Sequence, residues 1–333
     1  MRFKSSIKSN SYDTPRYVSL RLATSRDTLR FANPRDSITV ALPRNLVTHP
    51  AMNFSTLISP TDLAAHRDNP QWVICDCHHD LTNYEAGRRA YAQGHIPGAR
   101  FLHLDEDLSG PKTGVNGRHP LPHPITFTLR LAALGISNTT QVVAYDAAGG
   151  VFASRLWWML RWVGHKNVAV LDGGMGAWLA AKQAVTDELP TIKPVRYNPS
   201  PTPGLAVSTN DIAADLDHKA LHVLDARSPD RFRGENETLD PVGGHIPGAR
   251  NRFFKNNLAD DGRFKLAEAL RQEFAAALNT HTPDKVVHQC GSGVTACHNL
   301  LAMEVAGLTG SRLYPGAWRE WVSDRKRPVV TGS

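Results

Sequence analysis

Residue 290 is a cysteine that lies between an apolar run and a helical pattern. Val286 and Val287 predict a short buried strand, and residues 295–306 have the apolar spacing of a helix. The intervening residues, Cys-Gly-Ser-Gly-Val-Thr, predict a tight loop at the helix N-terminus, where free backbone N–H groups and the helix dipole attract anions. Such a loop favours a thiolate, so Cys290 is a candidate nucleophile; the alternative is a small buried residue at a strand end.

The segments that precede this loop alternate between short apolar runs and helical patterns. Such alternation predicts an α/β fold with a mainly parallel sheet. Residues 59–62, Ser-Pro-Thr-Asp, predict the cap of a helix. The sequence predicts further helices at 126–135 and 154–164, and strands at 72–76, 142–146 and 168–174.

Two halves of the chain share the same signatures in the same order. The heptapeptide GHIPGAR occurs at 94–100 and 244–250, and GAW occurs at 176–178 and 316–318. This order predicts a duplicated domain. We therefore expect a basic, disordered extension at 1–51, a non-catalytic first domain at 52–186, a semi-rigid proline-rich linker at 187–205, and a catalytic second domain at 206–330.

The two copies differ at the position of the cysteine. Asp146 ends the strand of the first copy that corresponds to the strand before Cys290. The loop that follows, DAAGGVFA, contains no nucleophile. We therefore expect one working site, in the second copy, with the first copy forming a wall of it.

Composition limits the classes of partner. The net charge of the 333 residues is +7, but residues 1–51 alone hold nine basic and three acidic residues, so the remainder is close to neutral and gives no reason to expect nucleic-acid binding. No apolar run reaches the length of a transmembrane helix, so we expect no membrane partner. Four cysteines without metal-ligand spacing indicate reduced thiols and a cytoplasmic protein. Residues 1–51 could be an upstream extension, a mitochondrial transit peptide or a basic tail.

The loop and the repeats together resemble a known family. A strand followed by CGSGVTAC, with GHIPGA before it and PGAW after it, is similar to the tandem-domain rhodanese-type sulfurtransferases. The uncharged loop resembles that of the 3-mercaptopyruvate sulfurtransferases in particular. The resemblance covers residues 52–330 and implies two rhodanese-like domains, each a mainly parallel sheet flanked by helices, with the active site between them.

The resemblance also implies a mechanism and a set of site residues. Cys290 would take a sulfur from 3-mercaptopyruvate as a persulfide and pass it to cyanide, a thiol or thioredoxin, without a cofactor or metal. The loop residues Gly291, Ser292, Gly293, Val294 and Thr295 would cradle the persulfide. Glycine at 291 and 293 would let the backbone approach the sulfur. Arg231, assisted by Arg233, would hold the anionic donor.

One position departs from the family pattern. A second substrate arginine is expected nine residues after Arg231, but the chain has Asp240 there, and an acid would repel an anionic donor. Another cation could substitute for it, and the sequence offers four candidates without choosing between them. These are Arg118, His119, Arg250 and Arg252.

Three other functions are alternatives to this one. A thiosulfate:cyanide sulfurtransferase would use the same mechanism, and a non-catalytic module would only carry sulfur. A cysteine phosphatase is excluded because it needs an arginine six residues after the cysteine, where this chain has Ala296. Cys297 is expected in the core, and a metal site at Cys77, His78 and His79 is not favoured, because no second ligand pair accompanies it.

Overall fold

The computed structural model describes residues 53–332, together with two short strands, β1 (Thr28–Leu29) and β2 (Val40–Ala41), that pair antiparallel. The expectation of disorder for 1–51 otherwise falls outside the described residues. Residues from 53 onward form one compact unit. No helix within the described residues is both long and apolar enough to cross a bilayer.

The first half of this unit contains a five-stranded parallel sheet. Its strand order is β3-β7-β6-β4-β5, and its central strand, β6, is buried at every position. Strands buried on both faces are apolar throughout, which explains why the sequence shows continuous apolar runs. The strands are β3 (Leu57–Ile58), β4 (Trp72–Asp76), β5 (Arg100–Phe101), β6 (Gln141–Tyr145) and β7 (Val168–Leu171).

Helices connect these strands, and several begin or end as the sequence predicts. Ser59 caps α1 by accepting a hydrogen bond from the Asp62 amide at 3.1 Å, and Gly135, with φ of 71°, follows α3. The predicted 154–164 helix, α4, begins earlier, at Val151, because a left-handed Gly150 precedes it. The helices are α1 (Pro60–His66), α2 (Ala86–Gln93), α3 (Pro124–Ala133), α4 (Val151–Trp162) and α5 (Gly174–Ala180).

The second half repeats this arrangement with a four-stranded parallel sheet. Its order is β11-β10-β8-β9, and a parallel bridge from Ala206 to Leu313 lies where the first sheet has β3. The strands are β8 (His222–Asp225), β9 (Arg250–Asn251), β10 (Val286–Gln289) and β11 (Arg312–Leu313). The helices are α6 (Thr209–Asp215), α7 (Pro229–Arg233), α8 (Ala267–Leu278), α9 (Thr295–Val305) and α10 (Ala317–Trp321), with 3-10 turns at Phe254–Asn257 and Pro283–Lys285.

Equivalent signatures occupy equivalent places in the two sheets. Each GHIPGAR leads into a short edge strand, β5 or β9, and each GAW begins or lies within a short helix, α5 or α10. Both sheets are parallel and flanked by helices, so the prediction of a duplicated α/β fold is confirmed.

Helices α4 and α9 join the two halves. They pack against each other, and a single apolar core includes Trp158 and Met159 of α4 together with Leu301 and Met303 of α9. The proline-rich segment after α5 contains no regular helix or strand between 190 and 205 and lies along the first half. Its Val195 amide, for example, donates to a carbonyl of α3 at 2.9 Å.

Candidate active site

Cys290 directly follows β10, and its loop leads into α9 at Thr295. The side chain is 2% exposed. Its Sγ accepts hydrogen bonds from the backbone amides of Gly293 at 3.1 Å and Ser292 at 3.5 Å. Two of the five predicted cradle residues therefore direct an N–H at the sulfur. Together with the N-terminus of α9, they provide positive potential that stabilises a thiolate or a persulfide anion.

The two loop glycines each make room for a neighbouring group. Gly293 has φ of 77°, and a Cβ there would collide with the Pro315 carbonyl oxygen. A Cβ on Gly291 would come within 2.5 Å of Nη2 of Arg118. Gly293 thus admits a neighbouring carbonyl and Gly291 admits a guanidinium, besides the approach of the backbone to the sulfur that the sequence predicts for both.

A buried arginine of the first half, Arg155, donates hydrogen bonds to backbone carbonyls in the Cys290 loop and in the first half. Arg155, on α4, donates to the carbonyls of Gly293 at 3.0 Å, His119 at 3.1 Å and Leu108 at 3.3 Å. No carboxylate within residues 53–332 forms a salt bridge with it. Burial lowers the pKa of Arg155 below its usual value, while the neighbouring Cys297 and Cys290 oppose that shift. Sequence reasoning did not identify Arg155. The feature that could have indicated it is a single arginine within the mostly apolar helical segment SRLWWML.

Cys297 belongs to the core, as expected. Its side chain is fully buried, and its Sγ lies 3.4 Å from the Gly293 carbonyl oxygen. Burial raises the pKa of the Cys297 thiol to about 12. The thiol is therefore neutral at physiological pH and is not a competing nucleophile.

A cavity of about 760 Å³ opens above Cys290, and both halves of the chain line it. The first half contributes Leu81, Arg118, Ala148, Val151 and Phe152. The second half contributes four of the five predicted loop residues, all except Gly293, together with Arg231 and Lys255. Within the described residues the side chain of Lys255 forms no salt bridge, and nothing in the sequence patterns had singled it out.

The two predicted substrate arginines lie in different surroundings. Arg231 lines the cavity and donates to Glu237 at 2.8 Å and to Asp240 at 3.1 Å. Arg233 points elsewhere, with its guanidinium paired at 2.7 Å to the exposed Glu235. The structure therefore brings Arg231, but not Arg233, to the cysteine.

Asp240 is enclosed by cations rather than facing the cavity. Its carboxylate is fully buried, with one oxygen accepting from Arg231 and the other from Arg118. The expectation that this acid would repel an anionic donor is revised, because two guanidinium groups neutralise its charge.

The other three cations considered as substitutes lie outside the cavity. Arg252 pairs with Glu273 at 2.7 Å, and Arg250 lines a separate cavity beside Pro247. Burial lowers the pKa of His119 to about 3, so its ring, with Nε2 3.7 Å from Asp105, is neutral. Only Arg118 among the four candidates reaches the site.

In the equivalent loop of the first half, the backbone amides donate hydrogen bonds to the carboxylate of Asp146. One oxygen accepts from the amides of Ala148 at 2.7 Å and Gly150 at 2.9 Å, and the other from Phe152 at 2.8 Å and Ala153 at 2.9 Å. The carboxylate is fully buried. The first anion-binding loop is thus closed by an internal anion, whereas the second presents a thiol to a cavity.

Cys77, His78 and His79, the cysteine and histidine group in the first half, do not direct their side chains to a common ligand position. Burial raises the pKa of Cys77 well above its usual value, and His78 is bonded through Nδ1 to Asp76 at 2.7 Å. His79 instead approaches His103 and Asp105. Both nitrogens of His103 are already hydrogen bonded, to the Tyr84 carbonyl at 2.9 Å and the Asp105 amide at 3.1 Å, so this cluster does not have the free ligand atoms of a metal site.

Comparison with known proteins agrees with this geometry. The family model for the rhodanese-like domain matches residues 59–181 and 208–324. A probable 3-mercaptopyruvate sulfurtransferase from Pseudomonas aeruginosa is 45% identical over 283 residues, covering 84% of this chain and 100% of the relative. The thiosulfate sulfurtransferase of Bos taurus is 35% identical over 241 residues, covering 70% of this chain and 79% of the relative.

Solved structures give the same result. The 3-mercaptopyruvate sulfurtransferase from Leishmania major superimposes with a TM-score of 0.73 at 29% sequence identity, covering 84% of this chain and 76% of that chain. The family model, the sequence relatives and the solved structure all match both halves of this chain. The chain therefore belongs to the rhodanese family, as a sulfurtransferase with two rhodanese-like domains in tandem.

Proposed function

We propose that the chain transfers sulfur from 3-mercaptopyruvate to a thiophilic acceptor through a persulfide on Cys290. The observation that carries this proposal is the Sγ of Cys290, held 3.1 Å from the Gly293 amide at the floor of a cavity that also presents Arg231. A thiolate, an anion-stabilising loop and a cation for the donor are the groups that the chemistry requires.

The first half-reaction moves one sulfur atom from donor to enzyme. The Cys290 thiolate attacks the donor's thiol sulfur, a sulfur–sulfur bond forms, and the carbon–sulfur bond breaks. The electron pair of that bond leaves as the enolate of pyruvate, which takes up a proton to give pyruvate. The persulfide then loses its own proton, and the amides of Ser292 and Gly293 stabilise its charge.

The second half-reaction regenerates the enzyme. An acceptor thiolate or cyanide attacks the outer sulfur, the sulfur–sulfur bond breaks, and Cys290 leaves as a thiolate. Electrons balance without an external oxidant, because the donor carbon gains the electrons that the sulfur gives up. Cyanide, a small thiol and a thioredoxin-like protein are the acceptors that we propose.

The uncharged loop favours 3-mercaptopyruvate over thiosulfate as donor. Gly291, Ser292 and Gly293 contribute no cationic side chain of their own, so the loop resembles those of the 3-mercaptopyruvate sulfurtransferases, and the cations of the cavity come from Arg118, Arg231 and Lys255. The P. aeruginosa relative named for 3-mercaptopyruvate is also the more similar of the two relatives compared. Arg231 would bind the donor's carboxylate, and Arg233, which is paired with Glu235, has no part in this proposal.

Replacement of the nucleophile tests the proposal. Cys290→Ser should abolish sulfur transfer, and mass spectrometry of the wild type after exposure to 3-mercaptopyruvate should show one added sulfur on the peptide that contains Cys290. Cys75→Ala, at a buried free cysteine in β4, is the matched control and should retain transfer. Near-wild-type transfer by Cys290→Ser would contradict the mechanism.

Donor choice is tested separately by comparing kcat/KM for 3-mercaptopyruvate and thiosulfate, with cyanide as acceptor. A higher value for thiosulfate would reassign the donor and leave the persulfide mechanism in place. A Cys290 persulfide that no acceptor discharges would instead indicate a sulfur-carrier module.

We also propose a cytoplasmic site of action, because all four cysteines are free and a reducing compartment keeps thiols in that state. Import into mitochondria, directed by residues 1–51, is the alternative. Fractionation of cells that express the full chain distinguishes the two.

A further inference from the structure

We propose that a second cavity, in the second domain, binds a small aromatic carboxylate, with Arg250 holding the carboxylate and Leu221 contacting the ring. The cavity has a volume of about 370 Å³. It lies at the amino-terminal end of β8, beside His222, whereas Cys290 follows the carboxyl-terminal end of the neighbouring β10. The site is therefore separate from the cavity of the proposed sulfur transfer and does not depend on that function.

The walls of this cavity are mostly apolar. Ile212 and Leu216 come from α6 and the residue that ends it, Leu221 and Val223 come from the start of β8, and Ile246 comes from the second GHIPGAR heptapeptide. A concave site of a few hundred Å³, with an apolar wall and a small number of polar groups, is typical of sites for small organic ligands.

The charged groups of the cavity favour one negative charge on the ligand. Arg250 and Lys219 contribute two cations, and Asp215 contributes one carboxylate, which accepts from the amides of Ala220 at 3.1 Å and Leu221 at 2.7 Å. Neither cation forms a salt bridge within the described part of the chain. The guanidinium of Arg250 can therefore donate two parallel hydrogen bonds to a ligand carboxylate.

Two histidine rings form an aromatic part of the wall. His222 and His281 both line the cavity and stack with their ring centroids 4.5 Å apart and their planes 14° from parallel. Burial lowers the pKa of His222, and the nearby His281 and Arg250 act in the same direction, so the His222 ring is neutral at pH 7. A flat ligand ring can pack beside this stack without competing for a charge.

The first domain carries aromatic side chains at the equivalent positions. Trp72 and Leu221 each stand four residues before the aspartate that ends their strand, and His66 and Asp215 each end the first helix of their domain. Trp72 stacks on His66 with ring centroids 4.5 Å apart and planes 10° from parallel. The second domain has a leucine and a carboxylate in place of these two rings, which leaves room for a ring from a ligand.

The matched arginines differ in the same way. Arg100 and Arg250 end the two copies of GHIPGAR. The guanidinium of Arg100 donates to the carbonyl of Leu134, whereas that of Arg250 has no acceptor within the described part of the chain. A bound carboxylate would give Arg250 the partner that Leu134 gives Arg100. Ring and carboxylate together define the ligand class.

Calorimetric titration of the full chain with indole-3-carboxylate tests the proposal. Indole supplies the ring without the charge, and acetate supplies the charge without the ring. We expect indole-3-carboxylate to bind, and indole and acetate each to bind at least about tenfold more weakly, because each lacks one of the two contacts. Absence of binding would overturn the proposal, and equal affinity for indole and its carboxylate would overturn the role of Arg250.

Two variants and two matched controls locate the site. Leu221→Trp introduces the residue that the first domain carries and should fill the cavity and abolish binding, whereas Leu266→Trp, at a leucine that is 83% exposed, should bind as the wild type does. Arg250→Gln should weaken binding by about tenfold or more, and Arg196→Gln, at an exposed arginine outside the cavity, should leave it unchanged. An unchanged Tm and an unchanged rate of sulfur transfer check that each variant is folded.

The cavity above Cys290 also contains cations, so the bound anion has to be traced to one of the two sites. Arg231→Gln removes a cation from the cavity above Cys290 and should leave the affinity for indole-3-carboxylate unchanged. Loss of binding in Arg231→Gln, with binding retained in Leu221→Trp, would place the anion above Cys290 and overturn the proposal.

Discussion

We predict that the folded protein loses stability in mild acid because of one buried histidine, His298. The ring lies on α9, is fully buried, and joins the two domains through Nε2, which lies 3.0 Å from the Gly149 carbonyl oxygen. The amide nitrogen of Asn257 donates to Nδ1 at 3.0 Å, so Nδ1 must be unprotonated and Nε2 carries the hydrogen. Protonation would break the bond to Asn257 and place a charge in the core.

Burial lowers the pKa of His298 from 6.5 to about 4. Below pH 6.5 the unfolded chain binds a proton that the folded chain takes up only near pH 4, so stability falls as the pH drops through this window. The free energy of unfolding decreases by about 1.4 kcal/mol for each pH unit there, which gives about 2 kcal/mol by about pH 5. Below the folded pKa no further loss accrues from this group.

Urea unfolding of the wild type and His298→Gln at about pH 7.5 and about pH 5 isolates this contribution. Burial also lowers the pKa of His119 and His288 to about 3, but both residues are present in both proteins and cancel in the comparison. We expect the wild type to lose about 2 kcal/mol more than the variant over this interval. The exposed His218→Gln serves as control and should lose as much as the wild type.

An equal acid-induced loss in the wild type and in His298→Gln would refute this reasoning. That result would mean that His298 titrates alike in the folded and unfolded chains, and that its hydrogen bonds to Gly149 and Asn257 do not fix a neutral ring.

Two further predictions concern the anion-binding loops. Asp146→Ala should lower the free energy of unfolding by about 3 to 5 kcal/mol in urea denaturation, because four amides, three of them buried, lose their acceptor, and Asp146→Asn should cost less. A loss below about 1 kcal/mol would show that water replaces the carboxylate. Arg155→Met should slow the alkylation of Cys290 by iodoacetamide at neutral pH by several-fold, which is roughly the effect of losing one nearby positive charge. A Tm measurement checks that the variant is folded. An unchanged alkylation rate would mean that Arg155 only holds the Gly293 carbonyl in place.

Features that depend on neighbouring residues in the chain were predictable from sequence. The strand before Cys290, the glycine loop and the helix after it appear as expected, because apolar periodicity and helix capping act within a few residues. The repeated GHIPGAR likewise revealed the duplication, since both copies enter the same edge of their sheets.

Features that depend on the contact between domains were not predictable. Arg118 and Asp240 are 122 positions apart, and nothing in their local sequence says that one carboxylate would bind arginines from both domains. Arg155 lies 138 positions from Gly293, and its helix looks like an ordinary core helix with one arginine. The role of Gly291 was missed for the same reason, because the group that it makes room for comes from the other domain.

The apolar core that α4 and α9 share bears on why both copies of the domain are retained. Ten consecutive residues of α4 and eight of α9 are buried, so neither helix has a face suited to water. A second domain produced alone would expose the apolar surface of α9 and lose the wall of its own active site. Selection on solubility and folding would therefore preserve the first copy even if only the loop of the second copy, which carries Cys290 where the first carries Asp146, reacted with a donor.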